Sequence, residues 1–409
     1  MSKTLIRLIF LPLTVIAWEY SCIAQDSASA VYERIVEANT KFGFKLFSKL
    51  IGKDDKKNVF ISPASISFAL AMTYNGAKGS TQQVIGRTLG LEGINIQEVN
   101  TSYRSMLSAL NNPDSPVQLM IANSLWANKD FRFYADFLER TKTYYHAEVE
   151  NLDFADSASP SKINRWVNEK TRGKIHGIVD RIDEDAILYL LNAIYFKGNW
   201  SNKFDEKLTE EKDFNLTDGR KKKVRMMTQG GRYQYLRGNN FQAVSLPYGS
   251  GRISMYIFLP DSGIGLKGFY QYSLSSSNWE TWMSEIRSMQ GSIHLPRFRM
   301  ENDFILNEPL KSIGMDEAFS KGKANFHAMC ELRSDQNAYI SEVKHKTFVE
   351  VNEEGSEAAA VTSVQIQVET AGIGAVEPRF DMIVDRPFFC AIRDNKTGML
   401  LFLGSIEEP

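Results

Sequence analysis

Residues 356–369 alternate between two kinds of side chain, and this pattern predicts a β-strand. One set of alternate positions is small at its start and apolar at its end: Ser356, Ala358, Ala360, Thr362, Val364, Ile366 and Val368. The positions between them are mostly polar, and successive side chains of a strand point to opposite faces. The segment therefore fits a sheet with one solvated face. Gly355 precedes it, Gly372 follows it, and its small-residue first half suits a loop as well as a strand.

Hydrophobic periodicity predicts helices mainly in the first half of the chain and strands mainly in the second. The predicted helices cover residues 31–50, 62–74, 79–89, 96–111, 133–145 and 160–173. The predicted strands cover residues 117–126, 187–196, 224–236, 241–247, 252–259, 290–298, 346–352, 387–393 and 399–405. This order favours an α+β domain over alternating parallel units. Residues 187–196 are apolar almost throughout, so we expect a central strand that is covered on both faces.

The composition is that of a soluble globular protein with a sizeable core. Of the 409 residues, 43% are hydrophobic and 24% are charged, and the formal net charge is −1. This balance provides no basic footprint for nucleic acid or for an acidic membrane surface. The basic run 220–225 follows the turn sequence Thr217-Asp218-Gly219, so we interpret it as a solvated hairpin tip in preference to an anion site. No repeat and no linker divides the chain.

The N-terminus, residues 1–30, has the three-part pattern of an export signal. Lys3 and Arg7 precede an apolar run, and small residues follow near Ala24 and Ala30. The apolar run is too short to span a bilayer. We therefore expect cleavage after about Ala24 or Ala30 and a secreted protein, extracellular or periplasmic. An uncleaved anchor or an ordinary tail is the alternative.

Removal of this signal leaves two cysteines, Cys330 and Cys390, which do not make a disulfide framework. Cys390 lies in an apolar run, where we expect a buried thiol that behaves as a small hydrophobic residue. The fold must therefore depend on packing and not on covalent links.

The sequence offers little for catalysis, for metal binding or for a cofactor. Its five histidines form no zinc-protease pair, and no serine has the flanking glycines of a nucleophile. Residues 263–268 (GIGLKG) match a dinucleotide fingerprint, but no second strand with a terminal acid follows, so we interpret them as a surface turn. Neither cysteine has an activating neighbour. We expect no enzyme, no cofactor and no metal site.

Five stretches together resemble the serpin family. They are NVFISPASI (58–66), NAIYFKGNW (192–200), HLPRF (294–298), NEEGSEAAA (352–360) and DRPFF (385–389). The resemblance covers about residues 31–409, in the order of the family. It implies one α+β domain with three β-sheets, eight or nine helices and an exposed reactive loop, about residues 353–380, near the C-terminus.

The mechanism of serpins gives a reason for the alternating pattern of residues 356–369. In serpins a target protease cleaves the reactive loop, and the freed segment inserts as a new strand into the central sheet. The resemblance implies a suicide-substrate inhibitor that traps a serine endopeptidase as an acyl-enzyme. Small inward residues suit passage into a packed sheet, and Ser356, Ala358 and Ala360 are small. A non-inhibitory serpin that carries a ligand, assists folding or stores nutrient is the alternative; bulky or proline residues in the hinge would favour it, and none occurs there.

The resemblance also implies roles for three groups of residues. The hinge of the loop comprises Glu353, Glu354, Gly355, Ser356, Glu357, Ala358, Ala359 and Ala360. The shutter, a polar cluster beneath the point where the central strands part, comprises Ser62, Ser65, Asn192 and His345. The breach, where the new strand enters, comprises Trp200, Arg297 and Glu353. We expect an Arg297–Glu353 pair to hold the hinge until cleavage.

Counting along the family's loop places the scissile bond between Glu369 and Thr370. The stretch from there to Pro387 is long compared with relatives, so Val368 and Ala371 are alternative cleavage positions.

The part of the reactive loop that the protease cleaves, which we call the bait, argues against a trypsin-like target. No lysine or arginine occurs between Lys346 and Arg379. Trypsin-like enzymes have a carboxylate in the specificity pocket and need a basic residue. We expect the partner to be an elastase-like, subtilisin-like or glutamate-specific serine protease, with a slight preference for the first two, and we expect the inhibitor to be a monomer.

Overall fold

Nine α-helices and three β-sheets make up the part of the chain that the structure describes. The computed structural model describes residues 13–51, 57–111, 117–332, 337–356 and 378–409, without the side chains of residues 13–28 and 111. The helices are α1 (Leu13–Leu50), α2 (Pro63–Tyr74), α3 (Gly79–Thr88), α4 (Ile96–Asn111), α5 (Ala135–Tyr145), α6 (Ser159–Lys170), α7 (Gly265–Tyr272), α8 (Ser276–Glu285) and α9 (Asn307–Leu310). Short 3-10 turns occupy Glu206–Leu208 and Asp316–Phe319, and a π-turn occupies Lys311–Met315.

Two large sheets and one small sheet contain the strands. The strands are β1 (Val59–Ile61), β2 (Gln118–Asn128), β3 (Arg132–Phe133), β4 (Glu148–Leu152), β5 (Leu188–Asn199), β6 (Glu210–Asn215), β7 (Lys221–Gly238), β8 (Phe241–Tyr248), β9 (Ile253–Pro260), β10 (Arg287–Pro296), β11 (Phe298–Ile305), β12 (Cys330–Glu331), β13 (Ile340–Val351), β14 (Gly355–Ser356), β15 (Arg379–Ile383), β16 (Phe388–Asp394) and β17 (Leu400–Ile406). The first large sheet has the order β1-β17-β16-β9-β8-β7-β10-β15, with β6 beside β7. The second, which we call the central sheet, has the order β11-β13-β5-β2-β4, with β14 beside β5. The predicted α+β class with three sheets is confirmed.

Strand β5 is the middle of the central sheet and is covered on both faces, as its apolar sequence predicts. Its even-numbered residues, such as Leu190 and Ile194, join the main core. Helix α2 packs on this face and is buried from Pro63 to Thr73. The odd-numbered residues of β5 form a second cluster with Ile163 of α6.

The structure departs from the predicted elements at several places, of which three have a physical explanation in the sequence. Helix α1 begins at Leu13 and not at residue 31, because no proline or glycine interrupts the chain between Pro12 and Gly43. The single strand predicted for residues 290–298 is two strands that meet at Arg297, since Pro296 has no N–H to extend the ladder. Helix α8 was not predicted, because its ten residues show little periodicity.

The dinucleotide-like stretch 263–268 is a turn only in its first part, so the prediction of a turn throughout was wrong. Gly265 has φ +63° and begins helix α7, which buries Leu266 and Phe269. Two apolar positions three residues apart are too few to predict a helix from sequence.

The basic run 220–225 lies on the second strand of a hairpin, as its turn sequence predicts. Strands β6 and β7 pair antiparallel, and Gly219 has φ +82° in the turn. Lys221 and Lys223 both form ion pairs with Asp213 across the hairpin. Neighbouring acids thus neutralise part of the run.

Both cysteines outside the N-terminal helix are buried free thiols, which confirms the predicted burial of Cys390. Burial raises the pKa of Cys330 to about 11 and raises the pKa of Cys390 as well. Among the described helices none is long and apolar enough to cross a membrane.

Candidate functional site

The chain reverses direction after β13 in a tight turn, residues 352–355. The Asn352 N–H donates to the Gly355 carbonyl at 2.9 Å, and the Gly355 N–H donates to the Asn352 carbonyl at 3.2 Å. The Asn352 side chain accepts a hydrogen bond from the Glu354 N–H at 3.1 Å, the local bond that favours asparagine in turns. Gly355 has φ +144°, a conformation that residues with a side chain rarely adopt. The turn directs the chain back toward the sheet that it has just left.

After this turn the chain begins a new strand against β5. Gly355 and Ser356 pair antiparallel with Asn199 and Gly198. A Cβ atom on Gly355 would lie 2.1 Å from the Gly198 carbonyl oxygen, so only glycine permits this approach. The Ser356 side chain is fully buried. Two hinge residues that the sequence identified therefore already belong to the central sheet.

The seam between β5 and β13 stops before either strand ends. Parallel pairing runs from Leu188 with Ile340 to Tyr195 with Phe348. The described register contains no pair between the remaining residues, 196–199 of β5 and 349–351 of β13. The new strand enters beside this unpaired end. The central sheet is closed along most of the seam and open at one end.

A buried carboxylate fixes the turn to the neighbouring strands. Glu353 is 2% exposed, and its Oε1 atom lies 2.7 Å from Arg297 Nη2 and 2.8 Å from Arg297 Nε. The Thr209 hydroxyl donates to the same oxygen at 2.5 Å. Burial acts to raise the pKa of Glu353, but the hydrogen bonds from Arg297 and Thr209 outweigh it and hold the pKa below its ordinary value. The carboxylate is ionised and paired.

Trp200 supports the same turn from the end of β5. Its backbone N–H donates to the Glu354 carbonyl at 2.9 Å, and its indole N–H donates to the Asn352 carbonyl at 2.9 Å. Its ring stacks on Tyr248 with a centroid separation of 4.3 Å. The structure thus brings together Trp200, Arg297 and Glu353, the three predicted breach residues.

The four predicted shutter residues form one buried hydrogen-bond network with Asn123. The Ser62 N–H donates to His345 Nε2 at 3.0 Å, so the ring proton is on Nδ1, which lies 2.5 Å from Asn192 Oδ1. The Asn192 amide donates to Asn123 Oδ1 at 2.5 Å and to the Ser65 hydroxyl. The Ser62 hydroxyl caps α2 by accepting from the Ser65 N–H.

This network links α2 to three adjacent strands of the central sheet. Asn123 lies on β2, Asn192 on β5 and His345 on β13, and the three positions are neighbours in the register. Burial lowers the pKa of His345 to about 3, although its bond to Asn192 acts in the opposite direction. The imidazole is therefore neutral, which the network requires because Nε2 must accept.

The opposite face of the seam is tied to the segment after α6. Lys344 Nζ donates to the Ile178 carbonyl at 3.0 Å, and Lys346 Nζ donates to the Gly177 carbonyl at 2.9 Å. Both lysines are on β13, whereas the carbonyls belong to the chain that leads into β5. Any movement of β13 away from β5 must break these bonds or carry that segment along.

Part of the predicted site lies outside the described residues. The hinge residues beyond Ser356 and all bait positions are in this part: Glu357, Ala358, Ala359, Ala360, Val368, Glu369, Thr370 and Ala371. Their roles stay predictions.

Sequence reasoning missed three residues of the site. Asn123 is a polar residue within an apolar strand pattern, and that interruption could have revealed it. Thr209 and Tyr248 carry no comparable signal, because their contacts join segments distant in the chain. Within the described residues, no three side chains of His, Cys, Asp or Glu converge to hold a metal.

Comparison with known proteins decides the family. The sequence profile of the family described as Serpin (serine protease inhibitor) matches residues 37–409. The chain belongs to the serpin family. It is 38% identical to human Serpin B8 over 92% of this chain and 99% of that protein. It is 34% identical to human leukocyte elastase inhibitor over 92% of this chain and 100% of that protein.

Solved serpin structures have the same fold. The thermophilic serpin tengpin in its native state matches with a TM-score of 0.83 and 34% identity, over 91% of this chain and 94% of that chain. Human thyroxine-binding globulin complexed with thyroxine matches with a TM-score of 0.84 and 29% identity, over 93% and 99%. The description of the family and the name of the elastase inhibitor both refer to inhibitors of proteases and not to enzymes.

The low pKa of His345 predicts acid sensitivity. Between its unfolded value of 6.5 and its folded value of about 3, the unfolded chain binds a proton that the folded chain excludes. Stability is therefore lost as the pH falls through this window, by up to about 1.4 kcal/mol per pH unit. We expect His345→Gln to have a lower thermal midpoint at pH 7 but a shallower loss of it between pH 6.5 and 4.

His146 provides the control, because its side chain is exposed. Its backbone has the left-handed conformation, which asparagine also tolerates, so His146→Asn removes a histidine without backbone strain. The His146→Asn variant should keep the wild-type slope of midpoint against pH. If wild type and His345→Gln had equal slopes of thermal midpoint against pH, His345 would not be the residue whose protonation destabilises the folded protein.

Loss of the Arg297–Glu353 pair should loosen the turn. Arg297→Met leaves a buried carboxylate with Thr209 as its remaining described side-chain partner, which we expect to cost about 1–3 kcal/mol because Arg297 is itself partly exposed. Hydrogen exchange of residues 352–356 should accelerate. Arg299→Met, at an exposed position on β11, is the control and should leave this exchange unchanged. Equal exchange in both variants would show that the pair does not hold the turn.

Proposed function

We propose that the chain is a suicide-substrate inhibitor of a serine endopeptidase, which it traps as an acyl-enzyme by inserting its cleaved loop into the central sheet. The observation that carries this proposal is the open end of the seam between β5 and β13, with Ser356 already paired to β5 beside it. A new strand can grow from this start without a change of direction.

Continuing the register of Gly355 and Ser356 predicts how the strand fills the sheet. Ser356 lies opposite Gly198, so Ala358 and Ala360 come opposite Phe196 and Ile194. Side chains directly opposite in an antiparallel pair share a face, and this face of β5 points to the main core. The small residues therefore enter first and face inward. Twelve residues, 355–366, find partners along β5.

Continued in the same way, the register predicts that Thr362 of the inserted strand comes opposite Asn192, at the level of the shutter. A strand inserted between β5 and β13 doubles their separation to roughly 9–10 Å. The direct bond between Asn192 and His345 cannot survive this, and a threonine hydroxyl between them can donate to one and accept from the other. A polar network suits this position because it has alternative arrangements that an apolar seam lacks.

The free energy of insertion makes the trap effectively irreversible. Burial of Val364 and Ile366 contributes roughly 1.5–3 kcal/mol each, and each new ladder hydrogen bond about 0.5–1.5 kcal/mol net. Over a dozen residues the gross gain is on the order of 10 kcal/mol, comparable to the stability of a whole domain. The hydrogen bonds from Lys344 and Lys346 to the segment after α6 must break during insertion, or that segment must move with β13.

The bait sequence guides the choice of target. Cleavage between Glu369 and Thr370 suits a glutamate-specific enzyme, and cleavage after Val368 or Ala371 suits an elastase-like or subtilisin-like enzyme. A relative carries the name leukocyte elastase inhibitor, which supports the elastase class. The absence of basic residues from 347 to 378 argues against a trypsin-like enzyme.

A ligand carrier is the second candidate, since human thyroxine-binding globulin with bound thyroxine has the same fold. The small hinge residues and the preformed pairing of Ser356 favour inhibition over this role.

We further propose, from the N-terminal sequence, that the protein is exported. We also propose that it acts as a monomer.

The test is incubation of the protein with trypsin, chymotrypsin, an elastase, subtilisin and a glutamate-specific protease, followed by denaturing gels. We expect a complex that survives denaturation with an elastase, subtilisin or the glutamate-specific enzyme, and none with trypsin. Mass spectrometry of the released C-terminal peptide identifies the bond. Cleavage by every enzyme without a trapped complex would instead support the non-inhibitory role.

Ser356→Arg provides the matched variant, because a long charged side chain cannot enter the buried site of Ser356. It should turn the inhibitor into a substrate that is cleaved and released. The same change at the exposed Ser288 should leave trapping intact. Unaltered trapping by Ser356→Arg would contradict insertion through the hinge.

A further inference from the structure

Tyr248 makes the only described side-chain hydrogen bond to the new strand. The Tyr248 hydroxyl lies 2.8 Å from the Ser356 hydroxyl, and both residues are fully buried. Tyr248 is the last residue of β8, which belongs to the other large sheet. Its position is therefore set by elements that do not include the hinge.

Two aromatic rings pack against the ring of Tyr248. One face stacks on Trp200 at 4.3 Å, and Phe196 contacts the ring in a T-shaped arrangement at 5.0 Å. Gly198 pairs with Ser356 and lies against the ring, since a Cβ atom there would come within 3.0 Å of Tyr248 Cδ1. The missing side chain at 198 is what lets the hydroxyl of Tyr248 reach Ser356.

We infer that Tyr248 is a positioning residue that sets the register of the inserting strand. This inference rests on the proposed insertion mechanism. A shift by one residue would bring Gly355 or Glu357 opposite Gly198: the first has no side chain to reach the hydroxyl, and the second would bury a carboxylate. A shift by two would bring Ala358 there and leave the buried hydroxyl without this partner. Among these residues only Ser356 satisfies the site.

Register is critical for this strand because side chains alternate between faces. A slip of one residue would turn Val364 and Ile366 away from the main core and bring Gln365 and Gln367 to it. The small first half of the strand has little side-chain bulk with which to correct such a slip. A fixed hydrogen bond at its first residue aligns all those that follow.

The variant Tyr248→Phe removes only the hydroxyl, and Ser356→Ala removes its partner. We expect each to lower the rate of complex formation about fivefold and to raise the number of inhibitor molecules consumed per trapped protease, because the strand enters in more than one register. The double variant should be no worse than either single one. Ser356→Thr keeps a hydroxyl and should therefore trap protease faster than Ser356→Ala does.

A second measurement, the rise in thermal midpoint after loop cleavage, tests the register of the inserted strand and needs no trapped complex. Proteins cleaved in the loop by subtilisin are heated, and the rise in thermal midpoint over the uncleaved form is compared. In-register insertion buries Val364 and Ile366, so wild type should show the larger rise and Tyr248→Phe the smaller. Tyr256→Phe is the control, since the Tyr256 hydroxyl donates to Asn395 Oδ1 at 2.8 Å, just beyond the end of β16, and makes no described hydrogen bond to the hinge.

The outcomes are distinct. If Tyr248→Phe matches Tyr256→Phe in both trapping and midpoint rise, the register role is overturned, even if the uncleaved variant is less stable. If wild type traps no protease, the proposed function fails, whereas the midpoint rise still tests the role of Tyr248. A smaller rise in Tyr248→Phe and in Ser356→Ala, with recovery in Ser356→Thr, supports it.

Discussion

The incomplete seam between β5 and β13 is the constraint on which the rest of the structure depends. Hydrogen bonds join the two strands from Leu188 to Tyr195 and then stop, which leaves the end of a central sheet open in an otherwise packed fold. An unpaired edge inside a protein is unfavourable unless something covers it. Here the turn at 352–355 and the first two residues of a new strand lie at that edge. The described structure therefore has a free seam end at the place where the proposed mechanism inserts a strand.

Two polar clusters bond the turn and the seam in this arrangement. The breach holds the turn through the buried Glu353 carboxylate, and the shutter joins β5 to β13 through Asn192 and His345. Apolar packing across the seam would be hard to reverse, whereas hydrogen bonds can be exchanged for those of an arriving strand. In the proposed mechanism, insertion rearranges these hydrogen bonds and gains free energy from the burial of Val364 and Ile366.

Much of the fold could be predicted from the sequence, because most helices and strands have clear periodicity. The capped start of α2 at Ser62-Pro63 and the doubly buried β5 are examples. The breach and shutter residues came from resemblance to the serpins, and the structure brings each group together. Thr209 and Tyr248 could not be predicted, since a hydroxyl that bonds a residue more than a hundred positions away leaves no local pattern. The pairing of Ser356 with Gly198 was likewise not predictable, because it depends on two glycines meeting across different elements.

The most direct test of the central claim is hydrogen exchange along the seam before and after the loop is cleaved. Residues 196–197 and 349–351 have no pairs with each other in the described register, and 198–199 are already paired with the start of the new strand, so the seam-facing amides of 196–197 and 349–351 should exchange readily in the uncleaved protein. After cleavage they should become strongly protected, together with residues 340–348, as the new strand pairs with both neighbours. Unchanged exchange at both segments after complete cleavage would contradict insertion between β5 and β13.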